Sequence, residues 1–212
     1  LQPIIGETLK LLRASLPSTI EIRQNIDPTA PSVMGDATQL HQVAMNLCVN
    51  AGHAMKEHGG VLGIRLACVD IDVDFASAHP ELREGPHVYL EVSDSGPGMN
   101  RAIQERIFEP FFTTKAPGEG TGLGLAVVHG VIKNHEGAIV VSSSLGAGTT
   151  FSVYLPVYDR PPAAIIHESD SVPRGKGEHI LFVDDEEALV SLGRALLEDL
   201  GYRVTTMVDS VE

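Results

Sequence analysis

Two asparagines one helical turn apart, Asn46 and Asn50, are the residues of this 212-residue chain whose type and spacing most need a chemical reason. Gln42, Asn46, Asn50 and His53 follow at spacings of four, four and three, so on a helix they share one face. Asparagine is mildly unfavourable inside a helix, and the small neighbours Ala51 and Gly52 leave room for a ligand. An amide oxygen is a hard donor suited to Mg2+, which keeps several waters and bridges to substrate phosphates. Taken alone, the same face also fits a solvated polar stripe.

Three further stretches carry chemistry. In Asp94-Ser95-Gly96-Pro97-Gly98 a carboxylate is held at the mouth of a turn. It could accept a hydrogen bond from an exocyclic amino group such as that of adenine, and it disfavours the carbonyl that guanine presents there. Gly96 and Gly98 let a flat base approach the backbone, although such a sequence is also an ordinary turn. The run Gly118-Glu119-Gly120-Thr121-Gly122-Leu123-Gly124-Leu125 leads into apolar Ala126-Val127-Val128. This reads as a loop feeding a helix N-terminus, where unpaired N–H groups and a positive dipole end bind phosphate; a plain flexible connection is the alternative. Between these two, Asn100 to Glu119 holds Phe108, Phe111 and Phe112 among charged and turn residues. It reads either as a buried aromatic anchor or as a mobile lid that hangs Thr113, Thr114 and Lys115 near phosphates.

The elements that must position these groups follow from periodicity. Ile4, Ile5, Leu9, Leu12 and Leu16 suit an amphipathic helix stopped by Pro17, and Ile20, Ile22 and Ile26 alternate as a strand. Asp36 and Gln39 have capping-box spacing ahead of a helix with Leu40, Val43, Ala44, Leu47, Ala51, Ala54 and Met55 on its apolar face. Gly59-Gly60 ends that helix. Strands are expected at Val61–Ile71, His87–Ser93, Ala138–Ser142 and Thr149–Leu155, and a helix from the glycine loop to about His135. The expected fold class is α+β, a two-layer sandwich with helices on one face of a mixed sheet.

Composition narrows the partners. The formal charge of −13 argues against nucleic acid or an anionic membrane surface as partner, so a phosphate ligand needs local donors or a metal ion. There is no apolar run long enough to span a membrane and no signal-peptide pattern, so a cytoplasmic fragment without direct membrane contact is expected. Cys48 and Cys68 lie in apolar segments and read as reduced core thiols.

Taken in order, these motifs resemble the ATP-binding domain of bacterial sensor histidine kinases, within the superfamily shared with gyrase, the 90-kDa heat-shock chaperone and the mismatch-repair ATPase. The N box matches Asn46 to Ala51, the first glycine box Asp94 to Gly98, the F box Phe108 to Phe112, and the second glycine box Gly120 to Leu125. A last glycine box matches Gly146-Ala147-Gly148-Thr149. The resemblance covers roughly residues 1–157 and implies the Bergerat-type version of the sandwich, with ATP and Mg2+ as cofactors. It implies Asn50 as the Mg2+ ligand, Asp94 as the adenine reader, Thr149 near the adenine, and His53 facing phosphates. Backbone amides from Gly122, Leu123, Gly124 and Leu125 would surround the phosphates, beside Gly120 and Thr121.

One position departs from the hydrolytic members of the superfamily, which carry a glutamate four residues before the metal-binding asparagine. Here Asn46 stands there and cannot take a proton at neutral pH. Transfer of the γ-phosphoryl group to a partner histidine fits better, because that group needs chiefly positioning and charge neutralisation. No histidine has the family's acceptor context; His135, followed by Glu136, lies after the glycine loop, and His41, His129 and His135 read as ordinary surface or lid-adjacent residues. The acceptor would sit on a dimerisation hairpin missing from this sequence, so this fragment is expected not to autophosphorylate, and the full-length protein is expected to be a homodimer.

After Pro156 the composition changes. Residues 158–178, with Pro161-Pro162 and Pro173-Arg174-Gly175-Lys176-Gly177, read as a linker. From His179 an apolar strand stops at Asp184-Asp185-Glu186-Glu187, and a helix with Leu189, Leu192, Leu196 and Leu197 follows. Residues 179–212 resemble the start of a response-regulator receiver domain, in which Asp184 and Asp185 would match the acidic pair that helps hold Mg2+. An ordinary strand-to-helix turn, with acids favoured by the helix dipole, is the alternative. Two strands and a helix do not complete a doubly wound sheet, so this incomplete α/β fragment is expected not to receive phosphate.

Overall fold

The computed structural model describes residues 1–115, 121–158, 175, 177–184 and 187–208. Contacts divide the chain into two compact units, Leu1–Arg160 and Pro161–Glu212.

In the first unit, α1 (Gln2–Ser15) starts with a proline in its first turn and ends before Pro17. It buries Ile5 and Leu12. Strand β1 (Ile20–Ile26) is joined through α2 (Ala37–Ala54) to β2 (Gly60–Ile71), and the two strands pair in parallel. After the short α3 (Val73–Ala78), β3 (Gly85–Asp94) pairs antiparallel with β2. Then come α4 (Arg101–Gln104), α5 (Gly124–Asn134), β4 (Ala138–Ser144) and β5 (Gly148–Pro156). The sheet order is β1-β2-β3-β5-β4, mixed because only the β1–β2 pair is parallel. The α+β sandwich read from the sequence is therefore the fold observed.

Period-two alternation puts Leu62, Ile64 and Leu66 of β2 on the core face, with Val88, Leu90 and Val92 of β3 and Phe151, Val153 and Leu155 of β5. Against them α2 sets Leu40, Val43, Ala44, Leu47, Cys48 and Ala51, and α5 sets Val128 and Ile132. Past Leu66 the alternation of β2 shifts: Cys68 is exposed while Ile71 is buried in a second small cluster with Leu82 and Ala138. The core-thiol expectation thus holds for Cys48, whose pKa burial pushes up to about 12, and fails for Cys68.

The start of α2 is fixed by Asp36, whose Oδ1 accepts from the N–H groups of Thr38 (2.7 Å) and Gln39 (3.3 Å). The other half of a capping box is replaced by a tertiary contact. The Asp36 N–H donates to Nε2 of His135 (3.2 Å), while His135 Nδ1 lies 2.7 Å from the Val131 carbonyl oxygen, so the ring carries its proton on Nδ1. This ties the N-cap of α2 to the C-cap of α5. Asp36→Ala should cost about 1 kcal/mol, read as a fall of about 2–4 °C in Tm by thermal denaturation; an unchanged Tm would show that the cap contributes nothing.

In the second unit, β6 (His179–Val183) and β7 (Arg203–Met207) pair in parallel, joined by α6 (Glu187–Asp199). Val190 is buried, and Gly193 leaves space for the Phe182 ring, which a Cβ there would meet at 2.7 Å. Most of the expected linker, residues 159–174 and 176, lies outside the described residues.

Candidate functional site

A cleft of about 270 Å³ opens between α2 and residues of the Met99–Lys115 and Thr121–Leu125 stretches. From α2 it takes Asn46, Asn50 and His53; from the opposite side Thr113, Thr114, Lys115 and Thr121; and from the entry to α5 Gly122, Gly124 and Leu125. The shared face read from the sequence is thus real for three of its four members, whereas Gln42 is exposed and outside the lining. Asn46 and Asn50 are half-buried. A Cβ added at Gly124 would come 3.4 Å from Asn46 Oδ1, so this amide lies close under the first residue of α5.

The α5 N-terminus has no side-chain cap. Its first intrahelical bond runs from Val127 N–H to the Leu123 carbonyl (2.9 Å), which leaves the N–H groups of Gly124, Leu125 and Ala126 without a partner inside the helix. Leu123 is the N-cap residue and does not line the cleft; its N–H reaches Thr121 Oγ1 at 3.4 Å. Gly122 has φ 67, and its carbonyl accepts from the Phe111 N–H at 2.9 Å. A Cβ at Gly122 would run into the Phe111 carbonyl group, so only glycine closes this junction without displacement. Gly122→Ala should cost about 1–3 kcal/mol, seen as a lower Tm together with faster amide exchange at Phe111. Wild-type protection at that amide would contradict the steric account. Gly120 lies outside the described residues.

Lys115 crosses the cleft: its Nζ lies 2.6 Å from Nδ1 of His53. A second cleft, of about 860 Å³, shares both residues and adds Gly96 among its walls. Of the two readings of the aromatic segment, the buried anchor holds for two of its three rings. Phe108 and Phe112 pack against the core, and Arg106 stacks 4.4 Å from the Phe112 centroid. Phe111, by contrast, is 74% exposed with φ 67, held out by its backbone bond to Gly122.

Asp94 sits at the end of β3, in register with Thr149 of β5. Neither cleft counts Asp94 or Thr149 among its lining residues. Burial raises the pKa of Asp94 above the ordinary aspartate value, outweighing the N–H groups of Gly96 (2.9 Å to Oδ1) and Thr149 that favour the charged form. Thr149 is buried, with Oγ1 3.0 Å from Ser143 Oγ. Ser143 Oγ also accepts from the Met99 N–H (2.8 Å) and donates to the Gly148 carbonyl (2.9 Å), so the Thr149 hydroxyl must donate to it. Gln104 Nε2 closes this network on the carbonyls of Met99 (2.9 Å) and Ser143 (3.0 Å). Gly98, with φ 68, lies against the β4–β5 hairpin, where a Cβ would collide with the Ser144 carbonyl oxygen.

Sequence reasoning did not single out Ser143, Gln104 or the apolar floor of Met99, Ile103 and Ile107. The floor had a signal, since 99, 103 and 107 follow at helical spacing around Asn100, whose Oδ1 caps Ile103 N–H at 2.9 Å. In the second unit Asp184 directly follows β6, and its partner Asp185 lies outside the described residues. Among the described residues no group of three or more His, Cys, Asp or Glu could hold a metal ion unaided.

A family model described as histidine kinase-, DNA gyrase B- and HSP90-like ATPase matches residues 35–159, more than half of the chain. The chain belongs to this ATPase family. Among curated proteins, the sensor kinase CckA of Brucella abortus is 37% identical over 221 residues, covering 100% of this chain and 23% of that protein. The sensor histidine kinase ZraS of Escherichia coli K12 is 37% identical over 158 residues, covering 74% of this chain and 30% of that protein. Among solved structures, a mycobacterial sensor histidine kinase, MprB, superposes with TM-score 0.59 at 29% identity, covering 74% of this chain and 93% of the other. The catalytic domain of histidine kinase ThkA gives TM-score 0.59 at 30% identity, covering 74% of this chain and 92% of the other. The ATPase-family domain here is accordingly the catalytic ATP-binding domain of a sensor histidine kinase, and the chain spans less than a third of the length of CckA or ZraS. Among the described residues no helix is long and apolar enough to cross a membrane.

Proposed function

We propose that this chain binds Mg-ATP in the cleft between α2 and the Met99–Lys115 and Thr121–Leu125 stretches, and passes the γ-phosphoryl group to a histidine on a separate helical hairpin. The observation that carries this reading is the cleft itself, which gathers Asn46, Asn50, His53, Thr114, Lys115, Gly124 and Leu125 around the open N-terminus of α5. The phosphates would meet the first N–H groups of α5 and the Lys115 ammonium, the adenine would reach Asp94 and Thr149 at the sheet end, and Met99 and Ile103 would supply an apolar floor.

The donor set fits Mg2+. The Asn50 side chain makes no hydrogen bond to protein among the described residues, so its amide oxygen remains available as one hard ligand, with phosphate oxygens and water completing the shell. The ion would supply neutralisation of charge on the phosphates. The protein's own part is positioning: Lys115 exchanges His53 for phosphate, and the α5 N–H groups orient the terminal phosphoryl group toward the acceptor.

Asn46 directs the chemistry toward transfer. An amide next to Gly124 can align a water or a nucleophile but cannot deprotonate it. Asn46→Glu should therefore raise ATP hydrolysis by this chain about tenfold or more, measured as phosphate release. A wild-type chain that already turns over ATP rapidly would favour a self-contained ATPase instead.

The domain assignment extends this reading. Residues 1–157 form the ATP-binding domain, 158–178 a linker, and 179–212 the first part of a receiver-like α/β unit. In its favour, β6, α6 and β7 make a parallel β-α-β unit with Asp184 at the carboxyl end of β6, and the alignment with CckA includes this tail. Asp184 and Asp185 would contribute to a Mg2+ site only with the rest of such a domain. The full-length protein would be a homodimeric cytoplasmic-facing kinase that exchanges phosphoryl groups with a receiver domain or response regulator. Mixing this chain with a purified dimerisation hairpin from a sensor histidine kinase and labelled ATP tests the transfer: labelled hairpin is the expected product, and its absence with intact ATP binding would overturn transfer while leaving the nucleotide site standing.

A further inference from the structure

The sheet face turned away from α1, α2 and α5 carries a groove that the nucleotide reading does not use. We propose that this groove, between the start of α3 and strands β2, β3 and β5, docks a segment of a partner protein that presents an arginine side chain. The groove has a volume of about 280 Å³, and its walls include Arg65, Asp70, Asp72, Phe75, Tyr89 and Tyr154. Its floor is a row of three half-buried rings: Tyr89 and Tyr154 with centroids 5.2 Å apart, then Tyr154 and Phe75 at 5.4 Å. The small apolar cluster beneath α3 accounts for one side of Phe75 and Tyr154, but Tyr89 is not part of it.

The rings already show what they accept. Arg65 Cζ lies 5.9 Å from the Tyr89 centroid, within cation–π range, and Arg65 forms no ion pair among the described residues. At the α3 end the wall is acidic. Asp70 makes no side-chain hydrogen bond or ion pair among the described residues, and Asp72 uses Oδ1 to cap α3 through the Phe75 N–H at 2.8 Å. Asp74 adds another carboxylate in the first turn of α3, while Glu91 is engaged by the Tyr89 hydroxyl. With Arg65 already over Tyr89, an incoming cation meets the Tyr154 and Phe75 rings and then the carboxylates at the α3 end, away from the Arg65 guanidinium. A guanidinium suits this better than an ammonium, because it is planar, stacks on rings and forks onto a carboxylate. The rings touch one another in a row instead of standing apart as a box, which disfavours a small quaternary ammonium. The net charge of −13 disfavours nucleic acid and anionic lipid, leaving a protein segment as the occupant.

The test is amide NMR of the isotope-labelled chain titrated with a capped Gly-Arg-Gly-Arg-Gly peptide and with the same peptide carrying citrulline for arginine. The arginine peptide should shift resonances of Val69 to Phe75, Tyr89 and Tyr154, leave those of Asn50 and Gly124 in place, and bind more weakly as salt rises. The citrulline peptide should produce no such shifts. Asp70→Asn, at an exposed position and expected to keep the wild-type Tm, and Phe75→Leu should each weaken binding about threefold or more. Shifts spread over the acidic surface, equal response to citrulline, or unchanged affinity in Asp70→Asn would overturn the proposal. None of these readouts depends on nucleotide.

Discussion

Asn50→Ala is expected to weaken binding of a non-hydrolysable ATP analogue about 10- to 100-fold in the presence of Mg2+, the loss that follows from removing one contact to a charged group worth about 1.5–3 kcal/mol. Without Mg2+ the two proteins should bind nucleotide almost equally. That contrast is what separates a metal ligand from a residue that merely shapes the cleft. The local structure keeps the two effects apart. Asn50 is half-buried on the cleft face of α2 and makes no hydrogen bond to protein among the described residues, so its removal leaves no protein group unsatisfied. Alanine is also the better helix former, and Tm should stay level or rise slightly. Equal losses with and without Mg2+ would refute the ligand assignment; a collapse in Tm would show a structural role instead.

Asp94→Asn carries the second large effect, and it has opposite signs on function and stability. Burial raises the Asp94 pKa above its ordinary value, so the native state binds this proton more tightly than the unfolded chain does. By linkage, the stability associated with Asp94 is fully present below the unfolded-state pKa and is lost as pH rises through the folded-state pKa. At neutral pH the ionised carboxylate is therefore a destabilising feature that asparagine lacks, while an amide oxygen can still accept from the Gly96 N–H. The variant should melt higher than wild type at neutral pH, with the difference shrinking as pH falls into the carboxylate range. Its affinity for an adenine nucleotide should drop about tenfold or more, because a charged acceptor is exchanged for a neutral one, and the preference for adenine over guanine should narrow. A stability cost at neutral pH would contradict the burial argument, and unchanged base preference would remove Asp94 as the reader.

Much of this arrangement is written locally in the chain. The β3 alternation of Val88, Leu90 and Val92, the Asp36 cap and the single face of Asn46, Asn50 and His53 follow from short-range spacing, and the structure realises each of them. What escaped the sequence depends on distant partners or on very short elements. Helices α3 and α4 have six and four residues, too few to show a 3.6-residue period. Ser143 and Gln104 become structural only because β4 is folded next to the Gly98–Met99 turn. The second half of the expected capping box is displaced by His135, 99 positions away. Phe111 is pushed outward by a backbone bond to Gly122, which no hydrophobicity pattern could report. Cys68 is exposed because the burial pattern of β2 changes past Leu66, where Ile71 packs into a second small cluster with the distant Leu82 and Ala138.

The most direct test of the nucleotide site is titration calorimetry of this chain with a non-hydrolysable ATP analogue and Mg2+, run beside the corresponding GTP analogue. The expected result is a Kd of about 1–100 μM, or about −8 to −5.5 kcal/mol, for the adenine nucleotide alone. Absence of heat with both nucleotides, or equal affinity for both, would contradict an adenine-reading Mg-ATP site between α2 and the glycine loop.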